Sequence, residues 1–145
     1  MKLLITTQKV DKNDPILGFF QDWIFYFAKY FEQVTVICLY KGQYDLPKNV
    51  KVLSLGKEDG ESRIKYIFRF FKYIFSQIRN YDKVFVHMNG EYVIMGGIFW
   101  KIFGKRIIMW RNHKSGGWKA RLAVALSDVV LCTSEGSYTA RFKKT

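Results

Sequence analysis

The sequence predicts an α/β fold built on an open parallel sheet with helices on both faces. Short apolar runs recur along the 145 residues and longer helical patterns fall between them. Most of the runs are continuous rather than alternating, as strands covered on both sides must be. Strands are expected at Lys2–Thr7, Val34–Leu39, Val50–Leu55, Lys83–His87, Arg106–Trp110 and Asp128–Cys132. Helices are expected at about Ile16–Glu32, Ser62–Asn80, Glu91–Phe103 and Gly116–Ser127. Lys41-Gly42 and Pro47 mark the one strand-to-strand connection without a helical pattern. Residues 1–145 fit one domain, with no linker or repeat to divide them.

The first strand opens with Met1-Lys2-Leu3-Leu4-Ile5 and meets Thr6, Thr7, Gln8 and Lys9 at once, so it lacks the apolar length of a signal peptide. Cys38 and Cys132 each fall in an apolar run, where a thiol acts as a small hydrophobe. A reducing cytoplasm suits them. The longest membrane-span candidate, Tyr92–Trp100, stops at Lys101, far short of the roughly 20 apolar residues a span needs.

The helix Ser62–Asn80 places Ile64, Ile67, Phe68, Phe71, Ile74, Phe75 and Ile78 at three- and four-residue spacing, a stripe expected to pack on the sheet. The other side carries Arg63, Lys65, Arg69, Lys72 and Arg79 among Tyr66, Phe70 and Tyr73. It reads either as a solvated face whose cationic stems cover apolar surface or as peripheral contact with an anionic membrane. Nucleic acid is the weakest of the three readings of that face. With 49% hydrophobic and 25% charged residues the chain can bury a core, and its net charge of +12 draws anions without naming one.

In open parallel sheets ligands gather beyond the carboxyl ends of the strands, beside helix N-termini whose N–H groups attract anions. His87 ends one expected strand and His113 lies just past another, so both are placed on that rim. Thr6-Thr7-Gln8 and Thr133-Ser134-Glu135 would join them, as would Asn89 two residues past His87. The segment Trp110-Arg111-Asn112-His113-Lys114-Ser115-Gly116-Gly117 offers polar groups, cations and a glycine pair before a helix. It suits a phosphate or sugar hydroxyls, and equally a plain turn into a basic helix. The first loop, Lys9 to Gly18, lacks the Gly-x-Gly-x-x-Gly turn of dinucleotide-binding units. That absence disfavours NAD- or FAD-dependent chemistry, and Walker loops, clustered metal ligands and nucleophile elbows are absent too, which thins out most familiar enzyme classes.

The order of these motifs resembles the N-terminal domain of family 4 glycosyltransferases, which have the GT-B fold of two Rossmann-like domains. The resemblance spans essentially the whole chain. It rests on Met1-Lys2-Leu3-Leu4-Ile5 with the long loop to Gly18, on Tyr81-Asp82-Lys83-Val84-Phe85-Val86-His87, on Phe103-Gly104-Lys105-Arg106-Ile107-Ile108-Met109-Trp110 leading to His113, and on Ser127-Asp128-Val129-Val130-Leu131-Cys132-Thr133-Ser134-Glu135. It implies sugar transfer from a nucleotide diphosphate donor to an acceptor hydroxyl, a glycan or lipid-linked sugar, with no obligatory metal and no cofactor besides the donor.

In that reading His113 contacts the transferred sugar or acceptor at the reacting centre, Gly18 lets the first loop approach the donor phosphates, and His87 lines the acceptor cleft. Ser134 and Glu135 sit at the cleft floor. Arg111 and Lys114 are local cations for the departing diphosphate, an assignment that follows from their charge and position. The family's first loop carries paired glycines, whereas here Gly18 follows Leu17. The family's C-terminal, donor-binding domain has no counterpart in these residues, so turnover is expected to need that domain in cis or in trans. A cytoplasmic protein working at the inner face of the membrane is the matching location. The alternative is a non-catalytic basic α/β module that binds a membrane surface or RNA.

Overall fold

In the computed structural model, which describes residues 1–142 and 144, the chain packs as two compact units, one running from Met1 to Asp82 and one from Lys83 onward. The first holds β1 (Lys2–Val10), α1 (Phe20–Tyr30), β2 (Gln33–Lys41), β3 (Val50–Ser54) and α2 (Arg63–Ser76). The second holds β4 (Lys83–His87), α3 (Glu91–Ile102), β5 (Arg106–Trp110), α4 (Trp118–Leu126) and β6 (Val129–Leu131). A 3₁₀ turn at Tyr138–Arg141 follows. Every strand pair within a unit is parallel: β1 with β2, β2 with β3, β4 with β5, and β5 with β6. The class is the Rossmann-like α/β arrangement that the alternation of apolar runs predicts.

Continuous apolar runs become buried strands in both units. Leu3, Leu4 and Ile5 of β1 and Val34, Val36 and Ile37 of β2 are all buried, and so are Val84, Phe85 and Val86 of β4 with Ile107 and Met109 of β5. Residues 42–49 join β2 to β3 without a helix, as Pro47 and Gly42 suggest. Cys38 is buried in β2, where desolvation, helped by the charge of Glu58, pushes its thiol up to about 12. Cys132 lies just beyond β6 rather than inside it. Among the described residues, no helix is long and apolar enough to cross a membrane.

Two expectations are corrected. β1 does not stop at Thr7: its ladder with β2 runs on to Val10↔Lys41, so Thr6, Thr7 and Gln8 lie inside the strand, with both threonines buried. They are not rim residues. α2, capped by the Ser62 hydroxyl accepting from the Lys65 N–H at 3.4 Å, is also turned about its axis relative to expectation. Its buried residues are Phe70 and Ile74, with Tyr66 and Tyr73 half-buried beside them. Ile64, Ile67, Phe68 and Phe75, four of the seven residues of the stripe expected in the core, are exposed.

Polar contacts explain the turn. The Tyr73 hydroxyl donates to the Ser54 carbonyl at 3.0 Å. Arg69 donates to the Leu55 carbonyl at 3.2 Å and pairs with Glu61 at 3.1 Å. Groups that read as a wet face are thus satisfied at the inner edge, and Arg69 leaves the set of outward cations.

Candidate functional site

The carboxyl ends of β4 and β5 form the rim of the second unit. The two strands run in register from Lys83↔Arg106 to His87↔Trp110, so the chain leaves both at the same level. Beyond β4 the Asn89 N–H donates to the His87 carbonyl at 2.8 Å, closing a three-residue turn around Met88. Met88 has φ 64°, the only non-glycine positive φ among the described residues. Bulky residues in that conformation carry strain of about 1–3 kcal/mol, held here by the Met88 N–H donating to the Trp110 carbonyl at 2.7 Å. The Asn89 side-chain oxygen accepts from the Glu91 N–H at 3.2 Å and so opens α3.

His87 does sit on the predicted rim, but its ring does not project from it. It is 1% exposed and stacks on Trp110, with ring centroids 5.2 Å apart and planes 14° from parallel. Desolvation pushes its pKa down to about 4, so the imidazole is neutral near pH 7. The expectation that His87 lines an open cleft is therefore corrected: the aromatic neighbour seals it.

His113 is exposed, and its loop is held by backbone and hydroxyl bonds. The Tyr138 N–H donates to the His113 carbonyl at 2.8 Å. The Thr139 and Ser137 hydroxyls donate to the Arg111 carbonyl at 2.9 and 3.3 Å, and the Arg111 N–H donates to the Leu131 carbonyl at 2.9 Å. Arg111 curls within the loop: Nη2 donates to the Ser115 carbonyl at 3.0 Å, while the buried Nη1 has no hydrogen-bond partner among the described residues. Burial lowers the Arg111 pKa. Against Gly116 lies the Tyr138 ring, so close that an added Cβ would fall 2.1 Å from it, and Tyr138 is tied in turn to Arg121 by a 3.0 Å bond from Nε to the phenol oxygen. Lys114 is exposed, as are Ser134 and Glu135 on the turn that the Ser137 N–H closes onto the Ser134 carbonyl at 3.0 Å.

The second unit thus brings Arg111, His113, Lys114, Ser134 and Glu135 onto loops joined through Ser137, Tyr138 and Thr139. Those three were not singled out from sequence. Their only signal was a hydroxyl-bearing triplet shortly after the last strand.

Gly18 belongs to the first unit and is described with it. The Asp14 carboxylate accepts from the Ile16 and Leu17 N–H groups at 2.9 and 2.7 Å and from Lys9 at 2.7 Å. The Lys9 bond, then the two backbone bonds, hold its pKa at about 2. The Gly18 N–H donates to the Asp14 carbonyl, and a Cβ on Gly18 would stand 2.5 Å from that same oxygen and 3.0 Å from the Lys12 carbonyl. Packing alone therefore demands glycine here. Gly18→Ala is expected to lower stability by about 1–3 kcal/mol, read as a shifted urea midpoint. An unchanged midpoint would show that the loop yields freely.

No family model and no curated protein matches this chain. Among solved structures it is similar to a lipopolysaccharide outer core galactosyltransferase, WaaB in apo form, with TM-score 0.57 and 15% identity over 94% of this chain and 40% of that one. It is similar to Acinetobacter baumannii MurG with TM-score 0.58 and 12% identity, covering 95% of this chain and 43% of that one. It is also similar to a putative UDP-N-acetylglucosamine 2-epimerase from Listeria monocytogenes, with TM-score 0.59 and 13% identity, covering 92% of this chain and 40% of that one. The chain spans about two-fifths of the length of these structures. The fold is thus the Rossmann-like arrangement of one half of a GT-B protein.

Proposed function

We propose that the chain is the acceptor-side half of a family 4 glycosyltransferase, which moves a sugar from a nucleotide diphosphate donor to an acceptor hydroxyl. The observation that carries the reading is His113, exposed beyond β5 on a loop anchored at Arg111, His113 and Gly116 by the Ser137–Thr139 segment. An imidazole held by its own backbone can exchange hydrogen bonds with sugar hydroxyls at a fixed place, which is what a group at a reacting centre requires. Negative charge grows on the departing diphosphate, and Lys114, exposed beside His113, is the local cation to meet it, with Arg111 adding charge from within the loop. A second Rossmann-like half, in cis or in trans, would hold the nucleotide. His87 supports the rim from beneath rather than touching substrate. Ser134 and Glu135, exposed on the neighbouring turn, are left to contact the acceptor.

The test uses the chain joined to, or mixed with, a GT-B donor-binding half, supplied with a panel of nucleotide sugars and followed by release of nucleoside diphosphate. His113→Ala is expected to cut turnover by about a hundredfold or more, as loss of a positioned proton-transfer or hydrogen-bonding group does. Undiminished turnover in that variant would overturn the assignment. Inversion of the sugar at C2 within the nucleotide sugar, with no acceptor dependence and no release of nucleoside diphosphate, would instead favour the epimerase chemistry that the Listeria neighbour is named for.

A further inference from the structure

α2 turns a row of large apolar side chains outward. Ile64 is 81% and Phe68 70% exposed, and with Ile67, Phe71 and Phe75 they line one shallow groove closed at its edge by Lys72. The spacing 64, 67, 68, 71, 75 is that of one helical face, and no segment among the described residues covers it. Cations border this face. Lys65 and Lys72 stand seven residues apart, two turns along the same side, and Arg79 follows at the same interval just past the helix. Lys65 pairs at 2.7 Å with Glu61, which it shares with Arg69, but keeps its side chain 61% exposed. Between Arg63 and Asn80 there is no Asp or Glu. A second copy of the same face would set lysine against lysine, a like-charge contact that opposes pairing. The occupant has to accept apolar side chains and carry negative charge at its boundary, and an anionic lipid surface does both.

We propose that α2 lies in the plane of an anionic bilayer, with Ile64, Ile67, Phe68, Phe71 and Phe75 entering the acyl boundary while Lys65, Lys72 and Arg79 meet the headgroups. This assignment is independent of the transfer reaction. It also differs from the arrangement expected from sequence, in which the tyrosine-bearing face was outward: Tyr66 and Tyr73 are half-buried and Arg69 is held by Leu55 and Glu61.

Co-sedimentation of the full chain with phosphatidylcholine vesicles, with and without 30% phosphatidylglycerol (about a third anionic lipid, enough for surface attraction), tests it. Binding is expected only to the anionic vesicles and is expected to fall with added salt. Lys65→Gln/Lys72→Gln should weaken it by about twenty-five-fold, each cation near such a surface being worth roughly fivefold. Ile64→Ser/Phe68→Ser, which keeps every charge and alters only exposed positions, should weaken it by at least about tenfold. A urea midpoint within error of the parent confirms that this variant is folded. Three results would overturn the proposal: no binding to either vesicle, or equal binding to both; unchanged binding in the serine variant, which marks a purely electrostatic polyanion surface of the RNA-binding kind; and dissociation of a dimer by the serine variant with lipid binding intact.

Discussion

Phe70→Ala is expected to destabilise the chain by about 3–5 kcal/mol, whereas Phe68→Ala, two residues away, is expected to stay within about 0.5 kcal/mol of the parent. Both residues are phenylalanines on one helix, so intrinsic helix propensity shifts equally in the two variants and cancels in the comparison. What differs is burial: Phe70 is 0% and Phe68 70% exposed. Truncating Phe70 removes a ring packed edge-to-face on Phe71, at 5.6 Å between centroids, and leaves a void next to Ile74 on the same buried face. Truncating Phe68 removes a ring that already meets solvent. Urea unfolding of the two variants at one pH gives the contrast directly. Equal losses would mean that the face labelled outward is packed, and would remove the ground for the membrane assignment as well.

This contrast also locates what the residues could and could not say in advance. β4 and β5 were legible to the residue, because Lys83–His87 and Arg106–Trp110 are unbroken apolar runs bounded by charged or polar residues at one end and a loop at the other. β1 was under-read. Thr6, Thr7 and Gln8 look like a polar exit, yet parallel pairing with β2 satisfies their backbone and both threonine side chains are buried. α2 was legible as a helix but not in its orientation. It has two apolar faces, and the one that turns inward does so through Tyr73 to Ser54 and Arg69 to Leu55, bonds to residues far along the chain. A polar group counts as surface in a sequence and as interior once a partner reaches it.

The same holds at the candidate site. That His87 and His113 share a rim followed from strand ends, whereas the direction of the His87 ring depends on Trp110 across the ladder. The clamp of Ser137, Tyr138 and Thr139 on the His113 loop rests on hydroxyl bonds and one backbone bond to carbonyls 24 to 28 residues away, which no local pattern announces.

Sealing His87 against Trp110 has a measurable consequence for acid stability. In the unfolded chain its pKa is that of a free imidazole, about 6.5, and in the folded chain burial pushes it down to about 4. Above 6.5 both states hold it neutral and no proton is taken up on unfolding. As the pH falls through 6.5 the unfolded chain binds a proton that the folded chain still refuses, so stability is lost progressively until about pH 4, where the folded state accepts it too. The span corresponds to about 3 kcal/mol. Asp14, with a folded pKa of about 2, also loses its favourable contribution on acidification, but in a lower window, below its unfolded value near 3.8. The interval between pH 6.5 and 5 therefore belongs mainly to His87. Urea unfolding at steps across it is expected to show the parent losing about 1.4 kcal/mol per pH unit, while His87→Phe, which keeps an aromatic ring against Trp110 and has no proton to bind, shows a nearly flat profile. An equal slope in that variant would mean that His87 reaches water in the folded protein and that the ring is free to line the rim after all.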